Sequence, residues 1–253
     1  MNGKKTLLNL VAILAIGAFL PAFSFAVVTY SAECAWTDSD LICVIYANTG
    51  GDSLISGAVA LSYSSDELYD PDPADATKNE ETWFFGQSTD KIVYMDPEID
   101  TINHKIIWVV GRFELDASGV PTGVGVDGTR VEIGRVTLAR KTADDPWTNP
   151  ADPSQPVTFF GLSLSLGRSE NVDYVNFVNI SGTPLDSSAA NGGIIAAERG
   201  DVDRNETLDI LDFTALRAML ISSAPYSVFA DCVPDGVLDI LDFTCLRNKL
   251  LNP

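Results

Sequence analysis

A duplicated segment occupies the C-terminal end of this chain. The seven residues Leu-Asp-Ile-Leu-Asp-Phe-Thr occur at Leu208–Thr214 and again, 30 residues later, at Leu238–Thr244. Near-identical segments at a fixed offset mark a repeated supersecondary unit, because each copy buries its apolar face against its neighbour. The chain therefore ends in a small two-repeat module, and its length allows one medium-sized domain before it.

Oxygen-bearing side chains begin each repeat at regular spacing. In the first copy they fall at positions 1, 3, 5, 7, 9 and 12 of a 12-residue loop: Asp201, Asp203, Asn205, Thr207, Asp209 and Asp212. Ca²⁺ takes six to eight oxygen ligands, and calcium loops of this length supply them from these positions, with a backbone carbonyl at position 7 and often a water-bridged contact at position 9. The spacing predicts a calcium site in the first loop.

The second copy predicts another calcium site with a poorer ligand set. Its ligands would come from positions 1, 5, 7, 9 and 12, namely Asp231, Asp235, the carbonyl of Val237, Asp239 and Asp242. Val233 stands at position 3, so one side-chain oxygen is missing. The first loop has a different defect, since Glu206 replaces the position-6 glycine, and a non-glycine residue at positive φ costs about 1–2 kcal/mol. We expect two unequal sites, the second being weaker.

A single helix is predicted after each loop. Apolar residues recur there at helical spacing: Ile210, Phe213, Leu216 and Leu220, then Ile240, Phe243, Leu246 and Leu250. No helix is expected before either loop, because Gly192-Gly193 precedes the first and Pro225 precedes the second. Position 12 is also Asp rather than the Glu of ordinary EF-hands. The unit is thus a loop followed by one helix.

These paired units resemble the dockerin domain of cellulosome-type assemblies. The resemblance is carried by Gly200–Arg217 and Asp231–Arg247, and it covers about 50 residues. It implies a Ca²⁺-folded module that docks onto a cohesin-bearing protein in an extracellular, polysaccharide-degrading assembly. In that family, loop positions 10 and 11 help to set the choice of partner. The partner-binding residues expected here are Ile210, Leu211, Ile240 and Leu241, with Arg217 and Arg247 beside them.

Residues 1–26 have the features of a signal peptide. Lys4-Lys5 forms a basic start, residues 7–20 are apolar, and Ser24-Phe25-Ala26 is a small-x-small cleavage motif. The apolar run is short for a membrane span, and an uncleaved anchor is the alternative. Cleavage predicts a secreted or cell-surface protein.

The chain is strongly acidic. Its 35 Asp and Glu outnumber 16 Lys and Arg, so the formal net charge is −19 at pH 7, and cleavage after Ala26 removes two further positive charges. This charge argues against nucleic acid and anionic membranes as partners. It is typical of a soluble, secreted, calcium-loaded protein.

The chain between residues 27 and 190 is predicted to be a β domain. Runs rich in Val, Ile, Phe, Tyr and Thr are separated there by Gly, Asp, Asn and Pro. The predicted strands are Leu41–Ala47, Ser56–Tyr63, Lys91–Met95, Lys105–Phe113, Thr129–Ala139, Thr158–Leu166 and Val172–Ile180. Such strands imply an antiparallel β-sandwich or jelly roll. We therefore expect a mainly β protein with a sandwich over 27–190, a linker over 191–199, and a small α-helical dockerin domain with two calcium loops over 200–253.

The β domain also resembles a cohesin over short stretches. Gly57–Tyr63 followed by Glu67-Leu68 is similar to a cohesin strand that ends in Leu-Ser-Tyr before a loop, and Arg135–Ala139 is similar to a late core strand. This implies a cohesin-like sandwich that accepts another dockerin, and a carbohydrate-binding jelly roll is the alternative. The acidic, Pro-rich loops at Asp66–Thr82 and Lys141–Pro156 are not part of the cohesin pattern.

The four cysteines fall into two pairs that are close in sequence. Cys34 and Cys43 flank a segment that suits a hairpin, whereas Cys232 and Cys245 both lie in the second repeat, where the first repeat has small apolar residues. In an oxidising compartment each pair would form a disulfide. Buried free thiols are the alternative.

No segment carries a catalytic signature. There is no Gly-x-Ser-x-Gly and no phosphate loop, and His104, the single histidine, has no nucleophile beside it in sequence. A glycoside hydrolase needs only two facing carboxyls about 5–9.5 Å apart, so a small hydrolase carried by the dockerin is an alternative function. Aromatic residues that either stack on sugars or belong to the core are Trp83, Phe84, Phe85, Trp108 and Trp147.

Overall fold

The fold is given by a computed structural model of the chain, which describes residues 27–83, 85–87, 91–93, 96–115, 121–122, 125–142, 147–148, 158–167 and 177–251. The predicted signal peptide, residues 1–26, lies outside this part of the chain, as does most of the predicted loop Lys141–Pro156. No helix of the described residues is long and apolar enough to cross a membrane.

The described residues form many short strands followed by two helices. The strands are β1 (Val28–Trp36), β2 (Asp40–Asn48), β3 (Leu54–Ser62), β4 (Ala76–Lys78), β5 (Phe85–Gln87), β6 (Lys91–Val93), β7 (Glu98–Asp100), β8 (Lys105–Gly111), β9 (Phe113–Leu115), β10 (Pro121–Thr122), β11 (Val131–Ala139), β12 (Trp147–Thr148), β13 (Thr158–Phe159), β14 (Ser163–Leu166), β15 (Val178–Asn179) and β16 (Ser187–Glu198). The helices are α1 (Ile210–Ser222) and α2 (Ile240–Leu251), and a 3₁₀ turn spans Pro73–Asp75.

Two large sheets face each other and enclose the main core. One has the strand order β16-β1-β2-β11-β4, and the other has the order β14-β3-β8-β7 with β15 also paired to β3. Cys43 and Ile45 of β2 belong to the same buried cluster as Leu61 of β3 and Trp108 of β8, so the inner faces of both sheets pack together. The prediction of a mainly β chain with a two-sheet sandwich is confirmed.

Strand β2 is buried on both faces, which explains its nearly unbroken apolar sequence. Leu41, Cys43 and Ile45 lie in the core between the sheets. Val44 and Tyr46 point to the opposite face because side chains alternate along a strand, and they are buried in a second cluster. An apolar run without alternation is typical of a strand covered on both sides.

Strand β16 corrects the predicted domain boundary. The predicted linker over 191–199 is wrong, because nearly all of it belongs to this strand, and the sandwich therefore ends at Glu198 rather than at residue 190. β16 pairs in parallel with β1, from Val28 opposite Ser187 to Trp36 opposite Glu198. Because of this parallel pair the sandwich is mixed, and the predicted antiparallel sandwich is wrong in this respect. Another parallel pair, between β5 and β9, lies in a separate four-stranded sheet.

The glycine pair that suggested a linker lies in a bulge of β16. Pairing with β1 shifts between Tyr30 and Ala32, whose partners are Ala189 and Ile194. The residues of β16 between these two partners have no counterpart in the β1 register. Gly193 adopts φ +91° there, which glycine tolerates without a Cβ clash. The chain therefore leaves the ladder locally and resumes the pairing afterwards.

The two C-terminal helices pack against each other through equivalent residues. Leu216 of α1 and Leu246 of α2 are fully buried in one cluster. The rings of Phe213 and Phe243 lie with centroids 4.1 Å apart. The predicted loop–helix units thus share one small core.

The segment between the repeats, residues 223–230, packs on the sandwich. Val228 and Phe229 of this inter-repeat segment are buried with Val44 and Tyr46 on the outer face of the first sheet. Arg130 Nη1 donates a hydrogen bond of 2.6 Å to the carbonyl of Tyr226. The repeats are therefore attached to the sandwich by an apolar contact as well as by the chain itself.

Both cysteine pairs form disulfide bonds in the structure. Cys34 and Cys43 are directly opposite on the β1–β2 hairpin. Cys232 and Cys245 join the second loop to α2. The described residues contain no free cysteine.

Peptide mass spectrometry on exported, non-reduced protein should link Cys34 to Cys43 and Cys232 to Cys245. Each bond closes a short loop in the unfolded chain. Reducing either bond should therefore lower the free energy of unfolding by about 2–4 kcal/mol. The reduced sample is the control. Free thiols throughout exported protein would contradict the pairing.

Candidate metal centre

Three carboxylates converge in the first loop. Ligand oxygens of Asp201, Asp203 and Asp212 all lie within 4.8 Å of one another, and no other set of three His, Cys, Asp or Glu side chains in the described chain meets this distance. The potential ligands are oxygens, which suit a hard cation such as Ca²⁺ better than a metal that prefers nitrogen or sulfur. The first loop therefore fits the predicted cation.

Asp212, at position 12, links the start of the first loop to the start of α1. Its Oδ1 accepts hydrogen bonds from the backbone N–H of Val202 at 2.7 Å and of Asp203 at 3.2 Å. Its Oδ2 accepts from Asp209 N–H at 2.8 Å. This buried carboxylate therefore closes the loop.

Backbone N–H groups of the first loop also orient two further predicted ligands, Asp201 and Asn205. Asp201 accepts from Asn205 N at 3.1 Å and from Glu206 N at 3.0 Å, one bond to each carboxylate oxygen. The side-chain oxygen of Asn205 accepts from Thr207 N at 2.9 Å. The chain thus turns tightly around the positions where the sequence predicts ligands.

The second loop repeats this arrangement around Asp242. This side chain accepts from Val233 N and from Asp239 N, both at 2.9 Å. Asp235 accepts from Val237 N at 2.9 Å, as Asn205 does from Thr207 in the first loop. Val233 thus supplies a backbone donor but no side-chain oxygen at position 3.

Asp231 of the second loop has one satisfied and one unsatisfied oxygen. Its Oδ2 accepts from Gly236 N at 3.0 Å and from the Tyr226 hydroxyl at 2.7 Å. Its Oδ1 is buried and has no hydrogen-bond partner among the described residues. A buried carboxylate oxygen without a partner is costly, so this atom fits a cation ligand.

The position-9 acids have a role that the sequence prediction did not include. Asp209 accepts from Leu211 N, and Asp239 accepts from Leu241 N, each at 2.6 Å. These bonds satisfy N–H groups that the first turn of a helix leaves unpaired. The two acids therefore act as helix N-caps.

Three carboxylates of the two loops are costly to ionise in this arrangement. Burial raises the pKa of Asp201, and the carboxylate of Asp212 adds to the effect. Burial also raises the pKa of Asp231 and of Asp242, and each is raised further by Asp235. Bound Ca²⁺ would supply the positive charge that offsets this repulsion.

The position-6 residues adopt the same left-handed backbone with different side chains. Glu206 has φ +67° and Gly236 has φ +82°. The left-handed conformation is favourable for glycine and costly for other residues. The defect expected in the first loop is therefore present as backbone strain.

The predicted partner-binding residues occupy equivalent places on the two helices. Leu211 and Leu241 are 54% and 52% exposed, and Ile210 and Ile240 are 65% and 66% exposed. The two isoleucines thus lie off the packed helix face to which the helical spacing assigned them. Arg217 and Arg247 are also exposed and lie further along the two helices, at equivalent positions.

Most of the other candidate residues are structural and do not line a site. Trp83 and Trp108 are 0% and 1% exposed, and their indole N–H groups donate to backbone carbonyls at 2.9 Å. His104 Nδ1 lies 3.0 Å from Asp70, which also accepts from the Tyr63 hydroxyl at 2.6 Å. The side chains of Phe84, Phe85 and Trp147 lie outside the described part.

Tyr226, which is not among the predicted site residues, is a neighbour of the second loop. Its signal was a short apolar and aromatic run, Pro225–Ala230, between two polar, acidic repeats. Such a run needs a surface to bury it. The sequence alone does not say that this surface is β2.

No family model and no curated protein matches this chain. Solved structures that are similar to it include cohesin modules. The sixth cohesin of scaffoldin B from Acetivibrio cellulolyticus, in complex with a Cel5 dockerin, shares 12% identity over 66% of this chain and 99% of that chain, with a TM-score of 0.38. The seventh ScaB type I cohesin of Pseudobacteroides cellulosolvens shares 13% identity over 67% and 93%, with a TM-score of 0.38. At TM-scores below 0.5, these likenesses carry no conclusion about the site.

Replacing Glu206 by glycine should stabilise the protein by about 0.5–1 kcal/mol, because glycine adopts φ +67° without strain. Glycine also loses more conformational entropy on folding, which offsets only part of this gain. Thermal unfolding in excess Ca²⁺ measures the change. Glu206→Ala, which removes the charge but keeps the strain, is the control and should show no comparable gain. The strain argument is wrong if both variants behave alike.

Proposed function

We propose that the chain is a calcium-dependent interaction protein whose C-terminal repeats dock onto a protein partner. The observation that carries this proposal is the convergence of the Asp201, Asp203 and Asp212 oxygens within 4.8 Å in the first loop. The repeat of the same hydrogen bonds around Asp242 supports a second cation loop. The ligands proposed for the two cations are the predicted oxygen groups of both loops.

Calcium would contribute to folding as well as to shape. The repeats span about 50 residues, too few to bury a large core. Their buried acids repel one another without a counter-ion, and a cation that binds only the folded loops stabilises the fold by its binding free energy. Asp212 and Asp242 close the loops and hold the first turn of each helix. Each loop and the helix after it would therefore form together.

The partner-binding surface would be the exposed start of each helix. Leu211 and Leu241 stay solvent-exposed although their neighbours at position 12 are buried. Exposed apolar residues repeated on a small module favour a protein contact. The partner that the dockerin resemblance suggests is a cohesin-bearing protein, in an extracellular assembly that degrades polysaccharides.

For the sandwich we favour a protein partner over a polysaccharide. Trp83 and Trp108 cannot stack on a sugar because both are buried and hydrogen-bonded within the fold. A second dockerin is the partner proposed for the sandwich, from the cohesin resemblance of Gly57–Tyr63. This role is separate from that of the repeats and can fail without affecting it.

Calorimetric titration with Ca²⁺ should resolve two unequal sites, the weaker in the second loop because Val233 offers no side-chain oxygen. Asp212→Ala should weaken the stronger site and Asp242→Ala the weaker one, each by at least about tenfold. Asp66→Ala, at an exposed acid of the sandwich, is the control. Equal affinities at the two loops would contradict the proposed order.

Removing Ca²⁺ with a chelator should abolish both the helix signal and the binding of the cohesin partner. In calcium-loaded protein, Leu211→Asp combined with Leu241→Asp should abolish partner binding while circular dichroism keeps the helix signal, because both leucines are exposed. Ile102→Asp, at an apolar sandwich residue that is 88% exposed, is the matched control for binding.

Two results would count against these expectations. Helices that persist after chelation would contradict calcium-dependent folding. A double leucine variant that unfolds would place those residues in the core and move the docking surface elsewhere.

A further inference from the structure

The two loops differ in what lies just before them. Tyr226 precedes Asp231 by five residues, and the equivalent residue before Asp201 is Ala196 in β16. The second loop therefore lacks a position-3 oxygen but gains a neighbouring hydroxyl.

The Tyr226 hydroxyl fixes the orientation of the Asp231 carboxylate. It donates to Oδ2 at 2.7 Å, and Gly236 N donates to the same oxygen at 3.0 Å. The other oxygen, Oδ1, is left buried without a partner among the described residues, in a residue that is 3% exposed. Asp201 differs, because both of its oxygens accept backbone N–H groups of its own loop.

Tyr226 is in turn held by the sandwich. Arg130 donates to its carbonyl at 2.6 Å and also pairs with Glu33 of β1. The guanidinium of Arg135 lies 5.1 Å from the centre of its ring. The same guanidinium limits the space beside Gly236, where an added Cβ would lie 2.5 Å from Nη1.

We propose that docking of the inter-repeat segment on the sandwich positions Tyr226, and that Tyr226 thereby sets the calcium affinity of the second loop. The proposal rests on the proposed function, since it requires both loops to bind Ca²⁺. Tyr226 is a positioning residue, because it acts through Asp231. By thermodynamic linkage, Ca²⁺ at the second loop strengthens the attachment of the repeats to the sandwich by the same factor.

Tyr226→Phe tests the hydroxyl while keeping the ring. In calorimetric titrations of the full chain, this variant should raise the dissociation constant of the second site about tenfold, the usual effect of losing a group that orients a ligand. The first site should change less than about twofold. The matched control is Tyr46→Phe, which removes from the same interface a buried hydroxyl with no hydrogen-bond partner among the described residues, and it should leave both sites unchanged.

Arg130→Met tests the role of the sandwich. It should weaken the second site severalfold when Tyr226 is present and far less in the Tyr226→Phe background, because coupled residues give non-additive effects. Hydrogen exchange adds a readout besides metal affinity: Ca²⁺ should slow exchange of the amides of residues 226–230, and Asp242→Ala should remove most of that slowing.

The outcomes separate this proposal from the proposed function. If both loops bind Ca²⁺ but Tyr226→Phe leaves the second site unchanged, the positioning role is wrong and the calcium function stands. Additive effects of Arg130→Met and Tyr226→Phe would overturn the coupling to the sandwich. If neither loop binds Ca²⁺, the proposed function itself fails. Circular dichroism in Ca²⁺ confirms that each variant is folded before its affinity is compared.

Discussion

Burial of the outer face of β1 and β2 is the contact on which the arrangement of the two parts depends. The buried part of this face is apolar and consists of Ala35, Val44 and Tyr46, and an apolar patch of this kind would otherwise be exposed to water. Val228 and Phe229 cover it, while β16 pairs with β1 and delivers the chain directly into the first loop. The sandwich and the repeats are therefore joined by this packing and by the short connection from the end of β16 to the first loop.

Electrostatic repulsion among buried acids is the reason that the proposed function makes the repeats dependent on an ion. Burial raises the pKa of Asp201, Asp231 and Asp242, since charged carboxylates lose water and face one another. Backbone N–H groups offset part of this cost. The remaining cost, and the buried unpaired oxygen of Asp231, are what a divalent cation would relieve in the proposed function.

The two repeats have identical sequences where their helices begin, but their loops differ. Leu216 of α1 and Leu246 of α2 are buried at equivalent positions, and Leu211 and Leu241, at loop position 11, are exposed. The first loop keeps the position-3 carboxylate and carries strain at Glu206. The second loop loses that carboxylate, keeps the unstrained Gly236, and is contacted by Tyr226. One repeated sequence thus gives two loops that differ through their surroundings.

Local chemistry is what the sequence determined by itself. Periodicity and residue type were sufficient for features that depend on nearby residues. These are the spacing of the oxygen-bearing side chains, the helices after each loop, the positive φ at Glu206 and the β character of the sandwich. The parallel pairing of β16 with β1 and the contact of Tyr226 with Asp231 depend on residues brought together by the fold. The Gly192-Gly193 pair suggested a linker, because a bulge and a break have the same local signal, and only strand pairing distinguishes them. Tyr226 had no recognisable role until the sandwich fixed its position, since the surface that buries the inter-repeat segment lies far away in sequence.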